Sequence, residues 1–166
     1  MVSSSHLTLI AATAEAMHTL GVALGRLLAP GHVLALTGGL GAGKTTLCQG
    51  LAEGLEVPAD RAVNSPTFSL VNVHPGRTTF AHADLYRIKS DGELEELGLD
   101  ELMEDSVVAI EWAERFPQLL PNDHLSLRLL AQANGSRLVV AESRGPRSEA
   151  LLAAWRLRMG HVQASA

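Results

Sequence analysis

The chain has 166 residues, 46% of them hydrophobic and 19% charged, with a formal net charge of -5, so it is long enough for one domain with a core that needs neither disulfides nor a structural metal. A single cysteine, Cys48, excludes an internal disulfide and suits a reducing cytoplasm. No apolar run nears the roughly 20 residues of a membrane span, and the acidic balance argues against gripping nucleic acid unaided, so a soluble, cytoplasmic protein is expected.

In chain order, His6 to Ile10 reads as a short strand, and Thr13 as the N-cap of a helix from Ala14 to about Leu28, with Met17, Leu20, Leu24 and Leu27 on its apolar face. Pro30-Gly31 ends that helix. His32 to Thr37 reads as a buried parallel strand, and Lys44 to Gly54 as an amphipathic helix carrying Leu47 and Leu51 on one face. Between them lies Gly38-Gly39-Leu40-Gly41-Ala42-Gly43-Lys44-Thr45, a complete G-x-x-x-x-G-K-T phosphate-binding loop in the strand-to-helix context that it requires.

Each part of this loop has a physical task. Glycines admit backbone angles that turn successive N–H groups inward, and the helix that follows adds the positive end of its dipole, which makes an anion nest. Lys44 brings a full positive charge to the outer phosphates, and Thr45 a hydroxyl for the Mg2+ that bridges them. Only two of the 13 basic residues are lysines, and one stands where the loop needs it. The loop therefore predicts binding of a nucleoside triphosphate. Cys48, in the helix after it, reads as a small buried apolar residue.

Beyond Val57-Pro58, the stretch Val63 to Val73 contains Ser65-Pro66-Thr67-Phe68, where proline keeps Ser65 out of a helix. This is where many P-loop proteins carry a switch that senses the terminal phosphate. Phe68 to Val73 and Thr78 to Ala83, joined by His74-Pro75-Gly76-Arg77, read as an antiparallel hairpin with Asp84 at its end. Acidic helices occupy roughly Asp91 to Met103, and their charge reads as a solvated face. Ser106 to Ile110 is a second fully apolar strand ending in Glu111. Leu125 to Leu130 and Arg137 to Ala141 read as a hairpin turned at Asn134-Gly135, and Ser148 to Met159 as a closing helix before a frayed tail from Gly160.

These elements predict a single α/β domain over 1–166, with a core at about 6–141. Its fold class is a P-loop NTPase-like three-layer sandwich, with a mixed, mostly parallel central sheet and helices on both faces. Hydrolysis or transfer also needs a strand-end carboxylate to orient Mg2+ and the attacking group. Glu111 is the first candidate, since a buried strand ending in an acid is how a Walker B site is built. Asp84 is the second, if its strand lies beside the P-loop strand. His82 lies two residues earlier on the same face and reads equally as a core residue. Trp112 reads as packing beside the nucleotide, and Arg87 as a salt-bridge partner.

Four blocks together resemble one family: Leu36 to Thr46, Asn64-Ser65-Pro66-Thr67-Phe68-Ser69-Leu70-Val71, His82-Ala83-Asp84-Leu85-Tyr86-Arg87, and Ile110-Glu111-Trp112-Ala113-Glu114. The set is similar to the TsaE (YjeE) family, bacterial ATPases required for threonylcarbamoyladenosine modification of transfer RNA, and the likeness extends to Glu93–Gly98 and Leu120–Leu125. The resemblance implies an ATPase that acts on the heterodimer of TsaD and TsaB and meets tRNA only through that complex. It implies that Gly39, Leu40, Gly41, Ala42, Gly43, Lys44, Thr45 and Thr46 wrap the phosphates of ATP. Thr45 and Glu111 hold Mg2+, and Thr67 and Asp84 face the terminal phosphate. Gly39 stands where the family usually has aspartate, which removes a side-chain acceptor but leaves the loop amides.

A small-molecule or nucleoside kinase would share the loop and the strand-end acid, but it also needs an arginine-bearing lid, and no compact arginine cluster is evident. A GTPase would show N-K-x-D and D-x-x-G motifs, and neither occurs.

Overall fold

A computed structural model describes residues 5–66 and 68–164. Its centre is one seven-stranded sheet in the order β1-β7-β6-β2-β5-β4-β3. The strands are β1 (His6–Ala11), β2 (Val33–Thr37), β3 (Val71–His74), β4 (Phe80–Asp84), β5 (Val107–Glu111), β6 (Leu125–Ala131) and β7 (Arg137–Ser143). β2 runs parallel to both β5 and β6, and β4 parallel to β5, whereas β1, β7 and β3 pair antiparallel at the flanks. The expected mixed α/β architecture, parallel in its centre, is therefore present.

Side chains alternate across each strand, so the sheet builds two cores. On one face Leu34, Leu36, Phe80, Val107 and Ala109 pack under α1 (Ala14–Gly25), α2 (Lys44–Gly54) and α5 (Pro146–Ala164). On the other, Val33, Ala35, Ala81, Ala83, Val108 and Ile110 meet α3 (Asp91–Glu96), α4 (Leu99–Asp105) and the short 3-10 turn Ala113–Arg115. β2, β4 and β5 are nearly all buried, which explains why β2 and β5 read as continuous apolar runs.

α1 and α2 approach backbone to backbone. A Cβ at Gly21, Gly25, Gly50 or Gly54 would lie 2.5, 2.4, 2.3 or 2.4 Å from a main-chain oxygen of the facing helix. Only glycine permits this approach, and it seats the P-loop helix firmly on its neighbour.

Several boundaries differ from the sequence reading. α1 ends at Gly25 instead of Leu28. Phe68 to Leu70 form a turn rather than strand, with Leu70 at φ 66°, and β3 starts only at Val71. The expected acidic helices are Asp91–Glu96 and Leu99–Asp105, so the second runs past Met103, and Gly98, at φ 65°, separates them. α5 begins at Pro146 and continues past Gly160 to Ala164, so the tail expected from Gly160 is helical over its first residues. Asp84 does not lie on a strand beside the P-loop strand, because β5 is inserted between β4 and β2.

Candidate functional site

The carboxyl ends of parallel strands are where an open α/β sheet leaves a crevice, because the chain leaves each strand there for a different layer. Three such ends line up here. Leu36 of β2 is the register partner of Glu111, and Glu111 is the register partner of Asp84 on β4. Both acids therefore point to the α2 face at the same level as the start of the phosphate loop.

The loop itself has the backbone that a nest of amides demands. Gly38, Gly41 and Gly43 have φ of 147°, 75° and 104°, and Gly43 is the N-cap of α2. Arg137, at the start of β7, anchors it from outside by donating from Nε and Nη2 to the Gly41 carbonyl at 3.3 and 3.0 Å. Lys44 is buried and donates from Nζ to the carbonyls of Gly38 and Gly39, the latter at 3.1 Å. The same ammonium lies 4.4 Å from the centroid of the Trp112 ring.

A cleft of about 430 Å³ gathers Gly39, Leu40, Gly41, Ala42, Gly43, Lys44, Thr45, Thr46, Ser65, Asp84, Tyr86, Glu111 and Trp112. Gly39 to Thr46, the residues expected to wrap the phosphates, all line it, with both strand-end acids. Thr67 lies outside the described residues. Asp84 and Glu111 are only 4% and 3% exposed. Asp84 Oδ2 accepts from the Ser65 hydroxyl at 2.8 Å and Oδ1 from the Tyr86 amide at 2.9 Å, so two hydrogen bonds fix its plane. Glu111 Oε1 pairs with His82 Nε2 at 3.0 Å. His82 is wholly buried. Burial works against a charged ring, but the Cys48 thiol and the Glu111 carboxylate beside it outweigh that and raise its pKa to about 10.

Residues that the sequence left with a bland role are thus part of the wall. Trp112 holds a left-handed backbone, φ 59°, which turns its ring over Lys44, and Tyr86 packs against that ring at 5.0 Å. Arg87 makes no ion pair among the described residues and instead lies over the exposed Phe68 ring at 4.8 Å. Phe68, Arg87 and Arg115 line a wider groove of about 1010 Å³, which shares Tyr86 and Trp112 with the phosphate cleft. Arg137 was missed, since nothing local marks an arginine 96 residues away as a prop for Gly41.

The donors suit a magnesium-bound triphosphate. Two buried carboxylates face the cleft, one of them paired with His82, and among the described residues Lys44 donates only to main-chain oxygens, which a phosphate can replace.

Residues 11–139 match the family described as "Threonylcarbamoyl adenosine biosynthesis protein TsaE". The chain is 44% identical over 117 residues to the TsaE protein of Streptomyces coelicolor, covering 68% of this chain and 78% of that one. It is 40% identical over 124 residues to the TsaE protein of Bacillus subtilis, covering 74% and 76%. The crystal structure of Bacillus subtilis YdiB superposes with a TM-score of 0.82 at 28% identity, over 95% of this chain and 99% of that one. Loop, strand-end acids, sheet order and these likenesses agree: the chain belongs to the TsaE family and has a P-loop NTPase-like fold.

Proposed function

We propose that this protein binds ATP with Mg2+ and hydrolyses it in the service of tRNA threonylcarbamoyladenosine biosynthesis, acting on a TsaD–TsaB heterodimer rather than on tRNA directly. The observation that carries the reading is the in-register alignment of Asp84, Glu111 and Leu36, which brings two buried acids to the mouth of a complete phosphate loop.

In this reading the amides of residues 39–46 and the Lys44 ammonium bind the phosphate oxygens, and Thr45 with Glu111 would hold the cation. Mg2+, when bound, offsets charge on the phosphate oxygens. Asp84, fixed by Ser65 and the Tyr86 amide, would accept a proton from the attacking water, and the packed Trp112 and Tyr86 rings form one wall of the cleft. Ser65 belongs to the segment that carries Thr67, so a hydrogen bond to Asp84 ties the proposed phosphate sensor to the proposed base. The exposed Phe68, with Arg87 over its face, extends from that segment and offers a partner an anchor that moves with the nucleotide state.

The test is phosphate release from ATP with the protein alone, with the TsaD–TsaB heterodimer, and with a panel of nucleosides. Release that requires Mg2+ and rises with the heterodimer supports the proposal. Transfer of the phosphoryl group to a nucleoside would establish a kinase instead.

A further inference from the structure

Behind the phosphate loop, on the buried side of Glu111, three different ligand chemistries meet. One ligand atom from each of Cys48, His82 and Glu111 lies within 4.8 Å of the other two, and all three residues are buried. Cys48 sits on α2 one turn beyond Lys44, and His82 stands diagonally across from Glu111 on the neighbouring strand. His82 Nδ1 has no hydrogen-bond partner among the described residues, although it is fully enclosed. The Cys48 sulfur beside the ring is only a weak hydrogen-bond partner, so this buried nitrogen is poorly satisfied by packing alone.

We propose that Cys48, His82 and Glu111 form a site for a thiophilic divalent cation of the Zn2+ class, separate in chemistry from the Mg2+ seat but sharing Glu111 with it. Magnesium takes oxygen ligands and keeps its waters, whereas thiolate with imidazole and carboxylate is a donor set for zinc. Zinc bonds of about 2.0 to 2.3 Å put ligand atoms roughly 3 to 4 Å apart, so the three side chains need to close by only about an ångström. Binding displaces the thiol proton, and the proton shared by His82 and Glu111, to solvent. Three protein ligands would leave a fourth position for water or another donor.

The consequence for the cleft rests on the function proposed above. A carboxylate drawn back to zinc is lost to Mg2+, so zinc suppresses turnover and Mg2+ with ATP weakens zinc binding by the same factor.

The experiment uses the chelator-treated full chain, without nucleotide, titrated with Co2+ as an optical probe and then with Zn2+. Because the chain has one cysteine, a thiolate-to-metal charge-transfer band reports Cys48 alone. A single equivalent of Co2+ that raises this band, yields to Zn2+, and loses the band in Cys48→Ala supports the site. Zinc affinity from chelator competition is expected to fall at least tenfold in Cys48→Ala and in His82→Asn. Cys48→Ser keeps nearly the same volume and guards against misfolding, and it too must lose the band. Absence of the band in the wild type, or zinc affinity unchanged in Cys48→Ala and Cys48→Ser, overturns the proposal. None of these readouts involves ATP, so failure here leaves the hydrolysis proposal standing, and failure of hydrolysis leaves the metal site standing.

Discussion

Asp84 and Glu111 are register partners on adjacent parallel strands, and each reaches the cleft already held by a second residue, Ser65 for the first and His82 for the second. They form one unit in which each carboxylate has one fixed direction. Asp84→Asn keeps the shape and removes the proton acceptor, and Glu111→Gln removes the charge offered to Mg2+. Each is expected to lower ATP turnover by roughly 100-fold or more while ATP still binds. The double variant is expected to be little worse than either single one, because groups that act together lose their effect together. Single-turnover kinetics of the three variants check this, and fully additive losses would show two independent roles.

The glycine contact between α1 and α2 leaves no room for a methyl group. Gly50→Ala would place Cβ 2.3 Å from the His18 carbonyl oxygen. The helices must separate, at a cost of about 1–3 kcal/mol. For a chain of this size that lowers the melting temperature by about 2–4 °C per kcal/mol, which thermal denaturation followed by circular dichroism will read.

Gly39→Asp tests the opposite situation. No atom lies within 4 Å of a Cβ built at Gly39, and its backbone is not left-handed. The variant is expected to fold with stability within about 0.5 kcal/mol of the parent and to retain ATP affinity within a small factor, since the loop amides are unchanged. Calorimetric titration with ATP decides it, and a loss of binding would show that the open space at position 39 is needed by the phosphates.

Asp123 caps α5 from another part of the chain, accepting the amides of Arg147 at 2.7 Å and Ser148 at 3.0 Å. Partial burial pushes its carboxyl up, but the Ser148 and Arg147 hydrogen bonds and the Arg147 charge outweigh that and hold it below its ordinary value of 3.8. A depressed pKa in the folded state means that the contribution is complete above pH 3.8 and is lost as pH falls through the lower folded value. Asp123→Ala is expected to cost about 1 kcal/mol at neutral pH. Urea denaturation at several pH values should show the gap to wild type closing only in acid below that window. A gap that closes near pH 6 would point to a histidine instead.

Local signals carried the loop, its strand and its helix, because glycine spacing, apolar period and the Lys44-Thr45 pair all lie within one short stretch. Glu111 was legible for the same reason, as an acid that ends a run of buried β residues. Asp84 was legible as a strand-end acid, but its neighbour was not, since which parallel strand lies between two others depends on long-range assembly. The turn at Leu70 was hidden inside a segment whose composition suits a strand, and the acidic helices were expected without the position of their break at Gly98. Arg137 and Asp123 act on main-chain groups 96 and 24 residues away, and no local pattern marks them. Cys48 looked like an ordinary core residue because its partners, His82 and Glu111, meet it only once the sheet is folded.

The central claim is that the phosphate loop, through Lys44, captures ATP. The direct measurement is calorimetric titration of ATP with Mg2+ into the wild type and Lys44→Ala, each first shown to be folded by circular dichroism. Saturable single-site binding in the wild type and none detectable in Lys44→Ala is the predicted result. Equal affinity in the two proteins would contradict it.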